Sequence, residues 1–237
     1  MEVPELPDRL VRVYLPSDFE PGTPRFALYL FDGQNVFDDY PSFSGGWHVH
    51  QAVERLVGKL PMPIVIGIDH GNESRVLELC PFEFEGEPGK ADLLLDWLTG
   101  TLMPGLAAEL PLIPGPIGSV IGGSSMGGLA SFYAHFRRPD AFGGALVMSP
   151  SFWINDGEIL RWLADQPVPE TSRVYLDAGG REGKGTLLPL VASVAAHLSN
   201  RGYDAGRLML RPDARGSHNE RAWRRRMPKA LRFFYGH

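Results

Sequence analysis

The chain predicts an α/β fold: a mostly parallel central sheet with helices on both faces, opened by an N-terminal antiparallel hairpin. Three observations carry this expectation. Short apolar runs alternate with helix-patterned segments from one end to the other, the pattern of repeated βα units. The run Ile64–Ile68 is apolar at nearly every position, as a strand buried on both faces requires. No internal repeat, low-complexity tract or compositional break interrupts the alternation, so residues 1–237 read as one domain. A chain of that length buries roughly three quarters of its unfolded surface.

Taken in order, Leu10–Leu15 and Phe26–Phe31 read as strands joined by the turn-rich Pro16–Pro24, which is the expected hairpin. Trp47–Leu60 has helical spacing, with Val49, Ala52, Val53, Leu56 and Val57 on one face. Ile64–Ile68 follows as a buried strand. Ala91–Leu110 is helical in pattern, with a bend expected near Pro104. Ile117–Ile121, Ala145–Met148, Val174–Leu176 and Leu208–Leu210 complete the strands. Helical segments at Leu129–Phe136, Gly157–Leu163, Leu187–Asn200 and Glu220–Phe234 alternate with them.

Composition narrows the class. A formal charge of -5 gives no electrostatic reason to expect nucleic acid or an anionic membrane as partner. The basic run Arg224–Arg226, with Arg221 and Lys229, falls on a predicted helix and reads as a solvated face. A single cysteine, Cys80, excludes an intrachain disulfide and reads as a small buried hydrophobe. His48 and His50 have no third ligand at a supportive spacing, so no metal is expected. No stretch approaches about 18 uninterrupted apolar residues. Met1–Glu5 has neither the basic nor the apolar region of a leader. A soluble, cytoplasmic protein is the expectation.

The chemistry concentrates at Gly122-Gly123-Ser124-Ser125-Met126-Gly127-Gly128, between an apolar strand and a helix-compatible segment. Gly123, Ser125 and Gly127 satisfy G-x-S-x-G; centring on Ser124 would need glycine at Met126. This is the context of a nucleophile elbow, where glycines keep a strained turn clear of the strand and helix. A serine hydroxyl needs a base to take its proton, and the base needs a third group to orient it. In α/β-hydrolases these follow in the order serine, acid, histidine. Of the later histidines, His197 sits inside a helical run, whereas His218 lies in the loop Arg215–Glu220 after the last strand. That loop is at the edge where open α/β sheets collect functional groups. The acid should follow the strand ending at Leu176, where Asp177 and Glu182 are equal candidates by position and Asp213 is a weaker third. The oxyanion needs two N–H donors. Met126, after the nucleophile, supplies one, and Gln34 in the loop Asp32–Asn35 is the candidate for the other. Trp47 and Trp153 are candidate apolar walls for an acyl group, although large aromatics more often pack in a core.

These residues together resemble the putative-esterase (esterase D) family of α/β-hydrolases, especially the branch similar to enterochelin esterase and related trilactone hydrolases. The resemblance runs through Tyr29–Phe37, Gly67–Asp69, Arg75, Gly122–Gly128, Ser149–Trp153, Asp177–Glu182 and His218–Trp223. It implies that Ser125 is the nucleophile, His218 the base, and Gln34 and Met126 the oxyanion-hole amides. The stretch Gly179–Glu182 resembles a G-x-x-E segment and favours Glu182 over Asp177. Arg75 falls where similar enzymes keep an arginine near the substrate. The Glu-Tyr-Pro-like segment that often follows it is Glu78-Leu79-Cys80-Pro81 here, with leucine in place of tyrosine.

The expected activity is hydrolysis of a small-molecule ester, small or polar, through an acyl-enzyme and without cofactor. The same triad serves acyl transfer or thioester hydrolysis of the S-formylglutathione-hydrolase kind. A binding protein with a dead hydrolase fold is the alternative from another class.

Overall fold

The computed structural model describes residues 1–42 and 44–236. Seven strands form one sheet in the order β1-β3-β2-β4-β5-β6-β7. They are β1 Val11–Tyr14, β2 Ala27–Phe31, β3 Ile64–Ile68, β4 Ser119–Ser124, β5 Gly144–Met148, β6 Arg173–Gly179 and β7 Leu208–Asp213. From β3 across to β7 every neighbouring pair is parallel. The central strands β2, β3, β4 and β5 are buried at every position, which is why their sequences lack a polar-out alternation.

Among the described residues the α-helices are α1 Val49–Glu54, α2 Arg75–Glu78, α3 Ala91–Trp97, α4 Met103–Glu109, α5 Met126–Arg137, α6 Glu158–Ala164, α7 Leu187–Asn200 and α8 Glu220–Tyr235. Successive strand residues point to opposite faces, and β2 shows the division. Tyr29 and Phe31 join the core under α3, α5, α6 and α7, while Leu28 and Leu30 join the core under α1 and α8. Two layers of helix thus sandwich the sheet, and each buries its own apolar set.

The opening of the chain differs from expectation in one respect. The antiparallel strand is present, but β1 pairs with β3, in the register Val11↔Ile68 to Tyr14↔Val65. β3 lies between β1 and β2, so the two form no hairpin. Residues 15–26 are too long for a tight two-strand turn, and β3, buried on both faces, is covered along both its edges by this arrangement. One helix also ends early, and another is interrupted. The segment at 47–60 is helical only over Val49–Glu54. Beyond it, Leu56 and Lys59 donate to carbonyls three residues back, and Gly58 turns to φ +73°. The bend expected near Pro104 is a widened π-type turn over Leu98–Leu102 between α3 and α4. Proline has no N–H to continue the ladder and sits in the first turn of α4 instead.

His135 on α5 is fully buried, and neither ring nitrogen has a hydrogen-bond partner among the described residues. Burial drives its pKa down from 6.5 to about 3. The unfolded chain therefore takes up a proton below pH 6.5 that the folded chain refuses, and stability drains away as pH falls from 6.5 toward 3. Denaturant midpoints followed across that window are expected to fall less steeply for His135→Leu than for the native chain. Parallel curves would assign the acid loss elsewhere.

Candidate active site

Ser125 stands between the end of β4 and the start of α5, at φ 57° and ψ -122°. A side chain in this region costs on the order of 1–3 kcal/mol, and three backbone bonds hold it there. Its N–H donates to Met148 O (3.1 Å), and its carbonyl accepts from Leu129 N (3.0 Å) and Ser151 N (2.9 Å). The turn closes only because position 123 is glycine: a Cβ there would lie 2.6 Å from the Gly127 carbonyl carbon and oxygen. Ser125 Oγ is 3.4 Å from Ser151 Oγ.

His218 precedes α8, whose N-cap Asn219 accepts from Ala222 N (3.0 Å) through its side chain. The imidazole Nδ1 is 2.9 Å from Glu182 Oε2, and its ring meets Trp223 edge-on at 5.1 Å. A carboxylate at Nδ1 keeps the proton of the neutral ring there and leaves Nε2 free to accept another. Glu182 is wholly buried behind the histidine. Its Oε1 accepts from Ser149 Oγ (2.9 Å) and Gly179 N (2.9 Å), and Arg226 Nη2 is 3.5 Å away. Burial works to raise its pKa. The bonds from His218 and Ser149, with the Arg226 charge, outweigh burial and hold it below the ordinary glutamate range.

Asp177, the other carboxylate the sequence offered, makes no hydrogen bond to the imidazole among the described residues. Its Oδ1 accepts from Ser149 N (3.1 Å) and lies 3.3 Å from Arg226 Nη1, a charge contact rather than an aligned hydrogen bond. Burial pushes its pKa up to about 7 against the pull of Arg226. Asp213, the third candidate, accepts from Arg215 N (3.3 Å) and pairs with Arg225 (3.5 Å).

Ser125, His218 and Arg75 line one cavity of about 390 Å³ together with Asp32, Asn35 and His70. Arg75 forks onto Asp32 through Nε (2.6 Å) and Nη2 (2.7 Å). Gln34 lies in the short helical turn Gly33–Asn35 after β2. That turn packs against β3 so closely that a Cβ at Gly33 would lie 2.6 Å from the Gly67 carbonyl carbon. The Gln34 side chain accepts from His70 N (3.4 Å) and lines a neighbouring polar cavity of about 480 Å³. The N–H groups of Gln34 and Met126 both belong to first helical turns, where no intrahelical carbonyl is available. Trp153, more than half exposed, lines a third cavity of about 550 Å³ that also reaches His218.

Trp47 does not join the cleft. It is 1% exposed, and its ring packs 5.6 Å from that of Trp223 in the core under α1 and α8. The basic run of α8 also needs correcting, because Arg226 is a buried ion-pair partner rather than part of a solvated face. Its spacing is the available signal: Trp223, Arg226, Met227 and Ala230 share the buried stripe of the helix. Ser149 and Ser151, to which sequence reasoning gives no role beyond membership of the resembling segment Ser149–Trp153, follow the end of β5 on the edge of the sheet that carries Ser125. His48 pairs with Asp39 (2.8 Å). Among the described residues no helix is long and apolar enough to cross a membrane.

A model of the family described as "Putative esterase" matches residues 7–234. The chain is 29% identical to an iron(III) enterobactin esterase of Dickeya dadantii over 68% of its own length and 34% of that protein's. It is 27% identical to an iron(III) salmochelin esterase of Escherichia coli, covering 83% of this chain and 48% of that one. It thus spans half or less of the siderophore esterases named here. An IroE-like serine hydrolase from Shewanella oneidensis superposes with a TM-score of 0.77 at 18% identity, covering 94% of this chain and 76% of that one. Such a likeness establishes the α/β-hydrolase fold.

Proposed function

The chain belongs to the putative esterase family and is a carboxylic ester hydrolase, and from that premise we propose that it works through Ser125, His218 and Glu182. The observation that carries this is the 2.9 Å contact of His218 Nδ1 with buried Glu182, beside a cavity that His218 shares with Ser125. His218 Nε2 takes the Ser125 proton as Oγ bonds to the ester carbonyl carbon. The oxyanion is held by the N–H groups of Gln34 and Met126. Collapse breaks the bond to the alcohol oxygen, which leaves with the proton from Nε2. Water then gives a proton to the same nitrogen and attacks the acyl-enzyme, and that proton passes to Ser125 Oγ as the bond to it breaks and the acid is released. No cofactor enters these steps.

Small or polar esters are the proposed substrates. The polar cavity beside Gln34 and the Arg75 guanidinium support that class, and the siderophore esterases among the relatives support adding enterobactin and salmochelin to the esters to try. A fluorophosphonate probe followed by peptide mass analysis tests the nucleophile. Labelling is expected on Ser125 and lost in Ser125→Ala. A probe that leaves Ser125 unmodified in folded, native protein removes the proposal.

A further inference from the structure

Two further cavities share lining residues with the reaction chamber, and their chemistry differs. One shares Asn35 and His70 with the chamber and is walled by charged and amide side chains such as Asp8, Arg9 and Asp69. The other shares His218, and its wall is largely apolar: Trp153 lines it with Leu187 and Leu190 from the start of α7, and with Thr186. Asp156 brings the only carboxylate to that wall among the described residues. Trp153 is 57% exposed, an arrangement that leaves a large indole face in water unless something covers it.

Resting on the proposed Ser125–His218 chemistry, we infer that the Trp153 cavity is the subsite for the leaving alcohol, and that it selects esters whose alcohol carries a neutral or cationic aromatic or bulky apolar group. The direction comes from the proton. His218 Nδ1 is engaged by Glu182, so only Nε2 delivers a proton, and it delivers it to the alcohol oxygen. The substituent on that oxygen must then lie along the histidine, and of the two cavities that His218 lines, the Trp153 cavity is the one that Ser125 does not line. The acyl half, bonded to Ser125 and held at the oxyanion donors, is directed to the Gln34 side. A cavity of about 550 Å³ accommodates a one- or two-ring group. Asp156 at the wall disfavours an anionic alcohol.

The test uses two ester series with the native enzyme, Trp153→Ala and Leu190→Trp. One series varies the alcohol (methyl, benzyl and 2-naphthylmethyl butyrate); the other varies the acid (ethyl acetate, benzoate and phenylacetate). Trp153→Ala is expected to lower the kcat/KM preference for benzyl over methyl alcohol about tenfold, the range for removing one aromatic packing partner, and to leave the relative preferences within the acid series unaltered. Leu190→Trp, which fills the cavity rather than emptying it, is expected to exclude the naphthylmethyl ester while methyl butyrate still turns over. Effects confined to the acid series, equal in both series, or absent from both would overturn the assignment. Ser125→Ala serves as a separate arm: persistent turnover there defeats the nucleophile proposal itself, whatever Trp153 does.

Discussion

Ser125→Ala is expected to lower kcat for an activated short-chain ester by about 10⁴- to 10⁶-fold, the range seen when a serine hydrolase loses its nucleophile. The protein should remain fully folded. Alanine keeps the Cβ and removes only the hydroxyl, and the three bonds that fix position 125 are all made by its backbone. The hydroxyl itself reaches only Ser151 Oγ, at a long 3.4 Å, so little stability goes with it. A companion variant, Ser125→Gly, should be equally inactive yet more resistant to denaturant, because glycine adopts φ 57° without penalty. Loss of activity with a gain in stability would show that the strained bend is maintained for chemistry. Near-native turnover in Ser125→Ala would end the mechanism.

Glu182→Gln should be nearly as severe, with a fall in kcat of about 10³- to 10⁴-fold. The glutamine amide donates to Nδ1 where the carboxylate accepted, so the imidazole proton moves to Nε2 and the base becomes a donor. Asp177→Asn is the control. Both carboxylates are buried beside Arg226, but Asp177 makes its hydrogen bond to the Ser149 N–H, and asparagine retains an acceptor oxygen for it. Less than a tenfold change is expected there. Activity measured over pH 5 to 9 for both variants decides the matter, and a larger loss in Asp177→Asn would reverse the roles.

Much of this site is legible in the sequence because its parts are local. The elbow is seven contiguous residues whose glycines and serine carry a steric reason for their order. His218 stands out because a loop after the last strand is the place from which a side chain reaches the sheet edge. The choice between Asp177 and Glu182 is not settled by position, since both follow the apolar part of β6. It depends on the turn Gly179–Glu182 swinging one carboxylate under the imidazole and on Ser149 claiming the other through its N–H. Trp47 and Trp153 cannot be ranked either, since exposure is a property of what packs against a residue. The partner of β1 escapes the sequence for a related reason: strand pairing is non-local, and a turn-rich connection is compatible with a neighbour or with a strand one place removed. Arg226 is hidden by its neighbours in a run of arginines, although its register with Trp223 and Met227 points inward.

The sheet order has a consequence for durability. The proposed nucleophile is anchored on β4, mid-sheet and wholly enclosed, whereas the proposed base hangs from the far end of β7, an edge strand whose residues are half-buried or exposed. A peripheral ribbon frays at lower temperature than a central one. Warming should therefore silence the enzyme before it melts, by carrying the proton acceptor away from a seryl oxygen that has not yet moved.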